Sequence, residues 1–205
     1  MAGANETVVH LVRHGEVHNP KKLLYGRLPG FHLSSRGQSM AARTAVSFKG
    51  HDVTYLAASP LERAQETAAP IADVLGMGIH TDADLIESDN VFEGLRTKGL
   101  RSQLVHPVRW RHMTNPFEPS WGEPYDEILE RMERAVHKAR GPAQGHEAVL
   151  VTHQLPIVMI QRSIQGKRLP HNPTKRQCEL ASVTSLMFDG DRLVSWSYDE
   201  PARGI

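Results

Sequence analysis

The chain has a single cysteine, Cys178. That count excludes an internal disulfide and a zinc cluster built on thiolates, and the lone thiol reads as a small semi-apolar residue of a reduced, cytoplasmic protein. Long apolar runs are missing as well. Nothing approaches the roughly 18 consecutive apolar residues of a membrane span, and the opening MAGANET lacks the basic-then-apolar pattern of a secretion signal. The expectation is a soluble cytoplasmic protein. Neither sign of charge is in surplus, since 24 Lys and Arg face 23 Asp and Glu. A nucleic-acid-sized basic surplus and an acidic tail are therefore both absent, and any specialisation of charge must be local. Repeats and low-complexity linkers are lacking too. One domain over residues 1–205, around one core, is the expectation.

What is present is an alternation. The β-rich runs TVVHLV (7–12), VTYLAA (53–58) and EAVLVT (147–152) are separated by stretches with apolar spacing near 3.6. That pattern predicts an α/β fold, a mostly parallel central sheet covered by helices in a three-layer α/β/α sandwich. Near the end, ASVTSLMF and RLVSWSY flank DGD, which predicts an antiparallel hairpin at one sheet edge. One helix is predicted from residue 60, with Ser59 as cap, Pro60 in the first position and Glu62 completing a capping box. Leu61, Ala64, Ala68, Ile71 and Leu75 line its inner face. A second is predicted from Ser34 or Ser35, and a third over YDEILERMERAVHKAR with Ile128, Leu129, Met132 and Val136 inward.

Ligands of parallel α/β sheets gather at the carboxyl ends of strands, where the following helices point their N-termini. Three such ends deliver polar groups here: Arg13 and His14 after the first, Ser59 and, one helical turn on, Arg63 after the second, His153 after the third. Two arginines and two histidines converging in this way describe a pocket for a dianion, because guanidinium forks bind phosphate oxygens bidentately. Phosphate is the obvious candidate.

Five segments, LVRHGE (11–16), LSSRGQSMAA (33–42), ASPLERAQETA (58–68), LIE (85–87) and VTHQ (151–154), resemble the histidine phosphatase superfamily, which also contains the cofactor-dependent phosphoglycerate mutases. They follow that family's order and span most of the chain. The resemblance implies that His14 is a nucleophile that attacks phosphorus through one neutral ring nitrogen while the other donates to a backbone carbonyl. Gly15 leaves the backbone room to approach. Arg13, Arg63 and a protonated His153 would supply the field around the transferring phosphoryl group, with no metal required. Asn19 and Gln154 are implied phosphate contacts. Glu87 is the implied proton donor, with Asp84, Asp89 and Glu93 as competing carboxylates in a remodelled acidic loop.

In the same family, the stretch at about 94–121 forms a helical lid. Here it carries Arg96, Lys98, Arg101, Arg109 and Arg111 against the single acid Glu118, interleaved with Trp110, Phe117 and Trp121. Two readings stand level: contacts to extra substrate charge, or a solvated basic face. A metal reading of His14 with His18, spaced as helical ligands, is disfavoured by the strand-to-loop context. The mutases of the family carry a longer insertion after the acid, with an ERHYG-like stretch where this chain has ESDNVFEGL. The implied activity is thus a metal-independent, cofactor-free phosphomonoesterase acting on a small phosphorylated metabolite. The alternatives are a mutase primed by 2,3-bisphosphoglycerate and a non-catalytic phospholigand-binding protein. Neither nucleic acid nor membrane is an expected partner, and no motif speaks to oligomeric state.

Overall fold

The computed structural model describes residues 6–96 and 122–205. Its strands are β1 (Glu6–Arg13), β2 (Val53–Ala58), β3 (His80–Thr81), β4 (Glu147–Thr152), β5 (Val183–Asp189) and β6 (Arg192–Asp199), joined in one sheet in the order β3-β2-β4-β1-β5-β6. The first four are mutually parallel, while β5 runs antiparallel to β1 and β6 antiparallel to β5. The edge hairpin is the expected one. Its two-residue turn, Gly190 and Asp191, places Gly190 at φ 57°, a left-handed conformation that tight hairpins need.

Side chains alternate across a strand, so each buried strand feeds two cores. Ala148 and Leu150 of β4 join Val9 and Leu11 of β1 against α3 (Tyr125–Arg140) and α4 (Gln154–Ile164). Val149 and Val151 join Val12, Leu56 and Ala58 against α1 (Ser35–Ser47) and α2 (Glu62–Leu75). The result is the expected three-layer α/β/α sandwich, in which burying each Val, Leu or Ile contributes about 1.5–3 kcal/mol. Among the described residues, no helix is long and apolar enough to cross a membrane.

Helix α3 occupies the expected stretch, with Asp126 and Glu127 in its first turn and His137, Lys138 and Arg140 in its last, charges that complement the helix dipole. The start of α1 resolves to Ser34, whose hydroxyl accepts from the Gly37 N–H at 2.9 Å. Helix α2 departs from expectation. It begins at Glu62 rather than Pro60, with Leu61 in the cap position and no side-chain cap. Ser59 sits two residues before that cap, where its hydroxyl accepts from the Leu61 N–H at 3.4 Å and is paired with the ring of His153 at 2.8 Å. Glu62 likewise accepts from the Gly30 N–H at 3.0 Å, which ties a neighbouring loop to α2. The N-terminus of α4, which follows His153, also has no side-chain cap.

Candidate active site

The three strand ends meet at one rim, as the sequence led us to expect. β1 runs out at Arg13 and His14, β2 at Ser59, and β4 at His153; the His14 and His153 ring centroids lie 5.2 Å apart. Gly15 is required here for a packing reason: a Cβ on it would stand 2.6 Å from the Gly37 carbonyl oxygen of α1. The room that Gly15 leaves is therefore occupied by a helix. Its N–H donates to the Thr67 hydroxyl at 3.0 Å, and that hydroxyl donates to the Arg63 carbonyl at 2.7 Å. Strand β1 and helix α2 are thus locked together beside the histidine.

His14 is 2 % exposed, and its Nδ1 lies 2.8 Å from the Gly15 carbonyl oxygen. That acceptor fixes the proton on Nδ1 and leaves the Nε2 lone pair available. Burial, then the charges of Arg63 and Arg13, hold the ring well below the ordinary histidine pKa, against a smaller opposing effect of the Gly15 bond. His14 is accordingly neutral at physiological pH. His153, fully buried, is also held well below its usual value, first by burial and then by His14, Arg63, Arg131 and Arg13. The expectation of a protonated His153 is therefore corrected for the free protein: burial and four basic neighbours disfavour the imidazolium. The positive field comes from the guanidinium groups.

Those groups are poorly compensated. Arg63 is fully buried; one Nη donates to the Gly26 carbonyl at 2.6 Å and the guanidinium lies over the Tyr25 ring at 4.8 Å. Burial lowers its pKa, and the charge of Glu87 partly offsets that. Arg13 donates to the Cys178 carbonyl. Among the described residues, the buried side-chain nitrogens without a hydrogen-bond partner are Arg13 Nε, Arg63 Nε and Nη1, His153 Nδ1 and, away from the rim, Arg140 Nε. An unsatisfied buried polar group costs about 1–3 kcal/mol, and a charged one more. Four such atoms at one rim are a standing cost of the free protein.

A cavity of about 650 Å³ opens over this rim, with Arg13, His14, Tyr25, Glu87, Gln154 and Arg176 in its wall. Arg63 and His153 lie behind that wall, against Tyr25 and Gly26 and against His14 respectively. Glu87 is half-buried, and its backbone carbonyl accepts from Arg27 Nε at 2.7 Å. Arg27 in turn pairs with Glu123, which also pairs with Arg131, and Arg131 holds the Asp84 and Ile86 carbonyls at 2.7 and 2.6 Å. This network fixes the loop that presents Glu87. Of the competing carboxylates, Asp84 pairs with Arg134 and Glu93 accepts from the Arg27 N–H, whereas Asp89 also lines the cavity.

Asn19 and Gln154 both line the cavity, but both are engaged elsewhere. The Asn19 amide exchanges two bonds with the Leu23 backbone, while Gln154 bonds the Cys178 carbonyl and Arg176, each at 3.3 Å. Arg96 pairs its backbone with Leu23 and is not part of the cavity wall. Lys98, Arg101, Arg109 and Arg111, with most of the predicted lid, lie outside the described residues. Cys178 is buried and its thiol is pushed up to about 11 by burial, in keeping with an inert packing residue whose carbonyl orients Arg13. His18 is exposed, unlike His14.

Sequence reasoning missed Tyr25, Arg176 and the Arg27–Glu123–Arg131 network. Only Arg131 carried a signal, as a charge three residues beyond Ile128 on the apolar face of α3. The others sit on loops without periodicity.

Comparison with known proteins converges on this architecture. The histidine phosphatase superfamily (branch 1) model matches residues 9–199. Uncharacterized protein Rv0525 of Mycobacterium tuberculosis (strain ATCC 25618 / H37Rv) is 55% identical over 197 residues, covering 96% of this chain and 98% of that protein. The solved mycobacterial glucosyl-3-phosphoglycerate phosphatase Rv2419c superposes with a TM-score of 0.74 at 21% identity, over 95% of this chain and 98% of that one. Phosphoglycerate mutase from Bacillus anthracis str. Sterne does so with a TM-score of 0.71 at 19% identity, over 93% and 92%. The two solved neighbours share the fold, and the match over residues 9–199 settles the family: the chain belongs to the histidine phosphatase superfamily (branch 1).

Proposed function

We propose that the protein is a metal-independent phosphomonoester hydrolase working through a phosphohistidine on His14. The observation that carries this reading is the set of unpartnered guanidinium donors of Arg13 and Arg63, beside the unpartnered Nδ1 of His153, around a neutral, buried imidazole. A phosphate dianion satisfies those donors and neutralises the two guanidinium charges at the same time. With the dianion in place, the His14 Nε2 lone pair attacks phosphorus as the P–O ester bond breaks, and the Glu87 carboxyl gives its proton to the departing alkoxide. Water then attacks the phosphohistidine. Glu87 takes the water proton, the P–N bond breaks, and inorganic phosphate leaves with His14 again neutral. The guanidinium groups bear the equatorial oxygens through both steps. Arg176 is well placed to meet a second anionic group, since it lines the same cavity and bonds Gln154 and His171.

A mutase reading is favoured by the likeness to the Bacillus anthracis phosphoglycerate mutase and to the probable phosphoglycerate mutase GpmB of Escherichia coli. It requires that water be kept from the phosphohistidine. The ESDNVFEGL stretch lacks the insertion that the mutase resemblance calls for, and this supports hydrolysis. Chelator-treated protein incubated with phosphorylated metabolites, 3-phosphoglycerate included, tests the proposal. Phosphate release should exceed isomerisation and should be inhibited by vanadate. Dependence on an added divalent ion would overturn the metal-free mechanism, and 2,3-bisphosphoglycerate-dependent isomerisation with little phosphate release would establish the mutase.

A further inference from the structure

The proposed chemistry uses the carboxyl end of the sheet and leaves a second histidine group, near the opposite end, without a role. His10 breaks the apolar run of β1, is 6 % exposed, and packs edge-on against Phe48 with ring centroids 5.3 Å apart. Its Nε2 lies 2.8 Å from Oε2 of Glu147, the first residue of β4. His51, in the connection between α1 and β2, brings its Nδ1 to 2.6 Å from the same oxygen. The three ligand atoms all lie within 4.8 Å of one another. Two imidazole nitrogens thus converge on one carboxylate oxygen.

We propose that His10, His51 and Glu147 form a binding site for a zinc-class divalent cation that clamps β1, β4 and the α1–β2 connection together. Two imidazoles and one carboxylate are a donor set suited to zinc and its neighbours, whereas magnesium and calcium prefer oxygen alone. The surroundings fit a ligand histidine. His10 stands opposite Ser185 in the β1–β5 register, and its Nδ1 lies 2.8 Å from the Ser185 hydroxyl. With Nε2 on a metal, Nδ1–H donates to that hydroxyl, the arrangement that orients metal-bound imidazoles. Tetrahedral ligands at zinc–nitrogen distances stand about 3.3 Å apart, so loading has to spread the present 2.6 and 2.8 Å separations. His51, whose side chain is 40 % exposed on a turn, can move to do so. A water completes the coordination from the solvent side. From Glu147 to His153 the strand advances about 20 Å, which makes the site structural and independent of phosphoryl transfer.

The test uses untagged, chelator-treated protein titrated with zinc alone, followed by calorimetry and thermal unfolding. One equivalent should bind and raise Tm by about 5–10 °C when free zinc is a hundredfold above its Kd, while magnesium gives no shift. His10 is buried and its replacement endangers the fold, so His51→Gln carries the main variant arm and should abolish the equivalent. Ser185→Ala should weaken binding about 10- to 100-fold with the ligands intact. The absence of any zinc-dependent shift overturns the proposal. So does an equivalent that survives His51→Gln, or one displaced by vanadate, which would place the cation between His14 and His153. Turnover of the chelated protein is scored separately, so failure of either proposal is recognised without reference to the other.

Discussion

Histidines stand near both ends of the central sheet, in opposite company. At the carboxyl rim, His14 and His153 are buried among arginines, and both are held neutral. At the other end, His10 and His51 share Glu147, and His146 pairs with Asp52 at 2.6 Å. The same ring is thus a neutral imidazole among cations in one setting and a carboxylate partner in the other. Stability and chemistry separate along the same line. The rim stores buried polar nitrogens without partners, while the opposite end compensates its charges within the chain.

Breaking the rim should give the largest effects. Glu87→Gln should slow alkyl phosphates by about 10²- to 10⁴-fold, the usual worth of general acid catalysis, yet scarcely change an activated aryl phosphate whose phenolate leaves without a proton. Steady-state kinetics on the two substrate types check this, and equal losses on both would transfer the role to Asp89. Next comes Arg63→Met, which should cost about 10²- to 10³-fold in kcat/KM, as loss of a preorganised charge contact does. The free protein should nevertheless gain about 1 kcal/mol of stability, because a buried cation with two unpartnered nitrogens disappears. Denaturant unfolding alongside kinetics reads both. A loss of stability would mean that the Gly26 bond and Tyr25 contact outweigh the burial of charge.

Arg176→Ala sharpens the comparison within the rim. If Arg176 anchors a second anionic group, its loss lowers kcat/KM by roughly 10- to 150-fold for a substrate that carries one. A plain aryl phosphate should be spared, and a uniform loss would make the residue a support for Gln154. The smallest effect belongs to the opposite end. Glu147 has a folded-state pKa depressed from 4.5 to about 2, so its stabilisation is present above 4.5 and is lost as pH falls toward 2. With the carboxylate partly exposed and screened, Glu147→Gln should cost about 1–2 kcal/mol at neutral pH. Unfolding curves of the two proteins should converge across that acidic window; an unchanged gap would assign the loss to packing.

Much of the fold could be read because strands and helices announce themselves locally. The parallel strands, the DGD hairpin and the bounds of α3 depend on apolar period and turn chemistry, which neighbouring residues carry. The start of α2 could not be read, since Ser59 places its hydroxyl on the Leu61 N–H and on His153, 94 residues away, rather than on the first turn of the helix. The protonation of His153 failed for a related reason: counting cations at a rim ignores the desolvation that burial adds. Strand β3 is two residues long and has no pattern to detect. Tyr25, Arg27, Glu123 and Arg176 reach the site through loop geometry, which no spacing rule encodes. The group around Glu147 escaped as well, because His51 and His10 meet only once α1 has packed on the sheet.

The central claim, a neutral His14 acting as nucleophile through Nε2, is tested most directly by rapid alkaline quench of chelator-treated protein during turnover of a phosphomonoester, followed by peptide mapping. The account predicts an acid-labile phosphoryl group on His14, with neither adduct nor turnover in His14→Ala. Turnover by His14→Ala at the wild-type rate, or a phosphoryl group trapped on any other side chain, would contradict it.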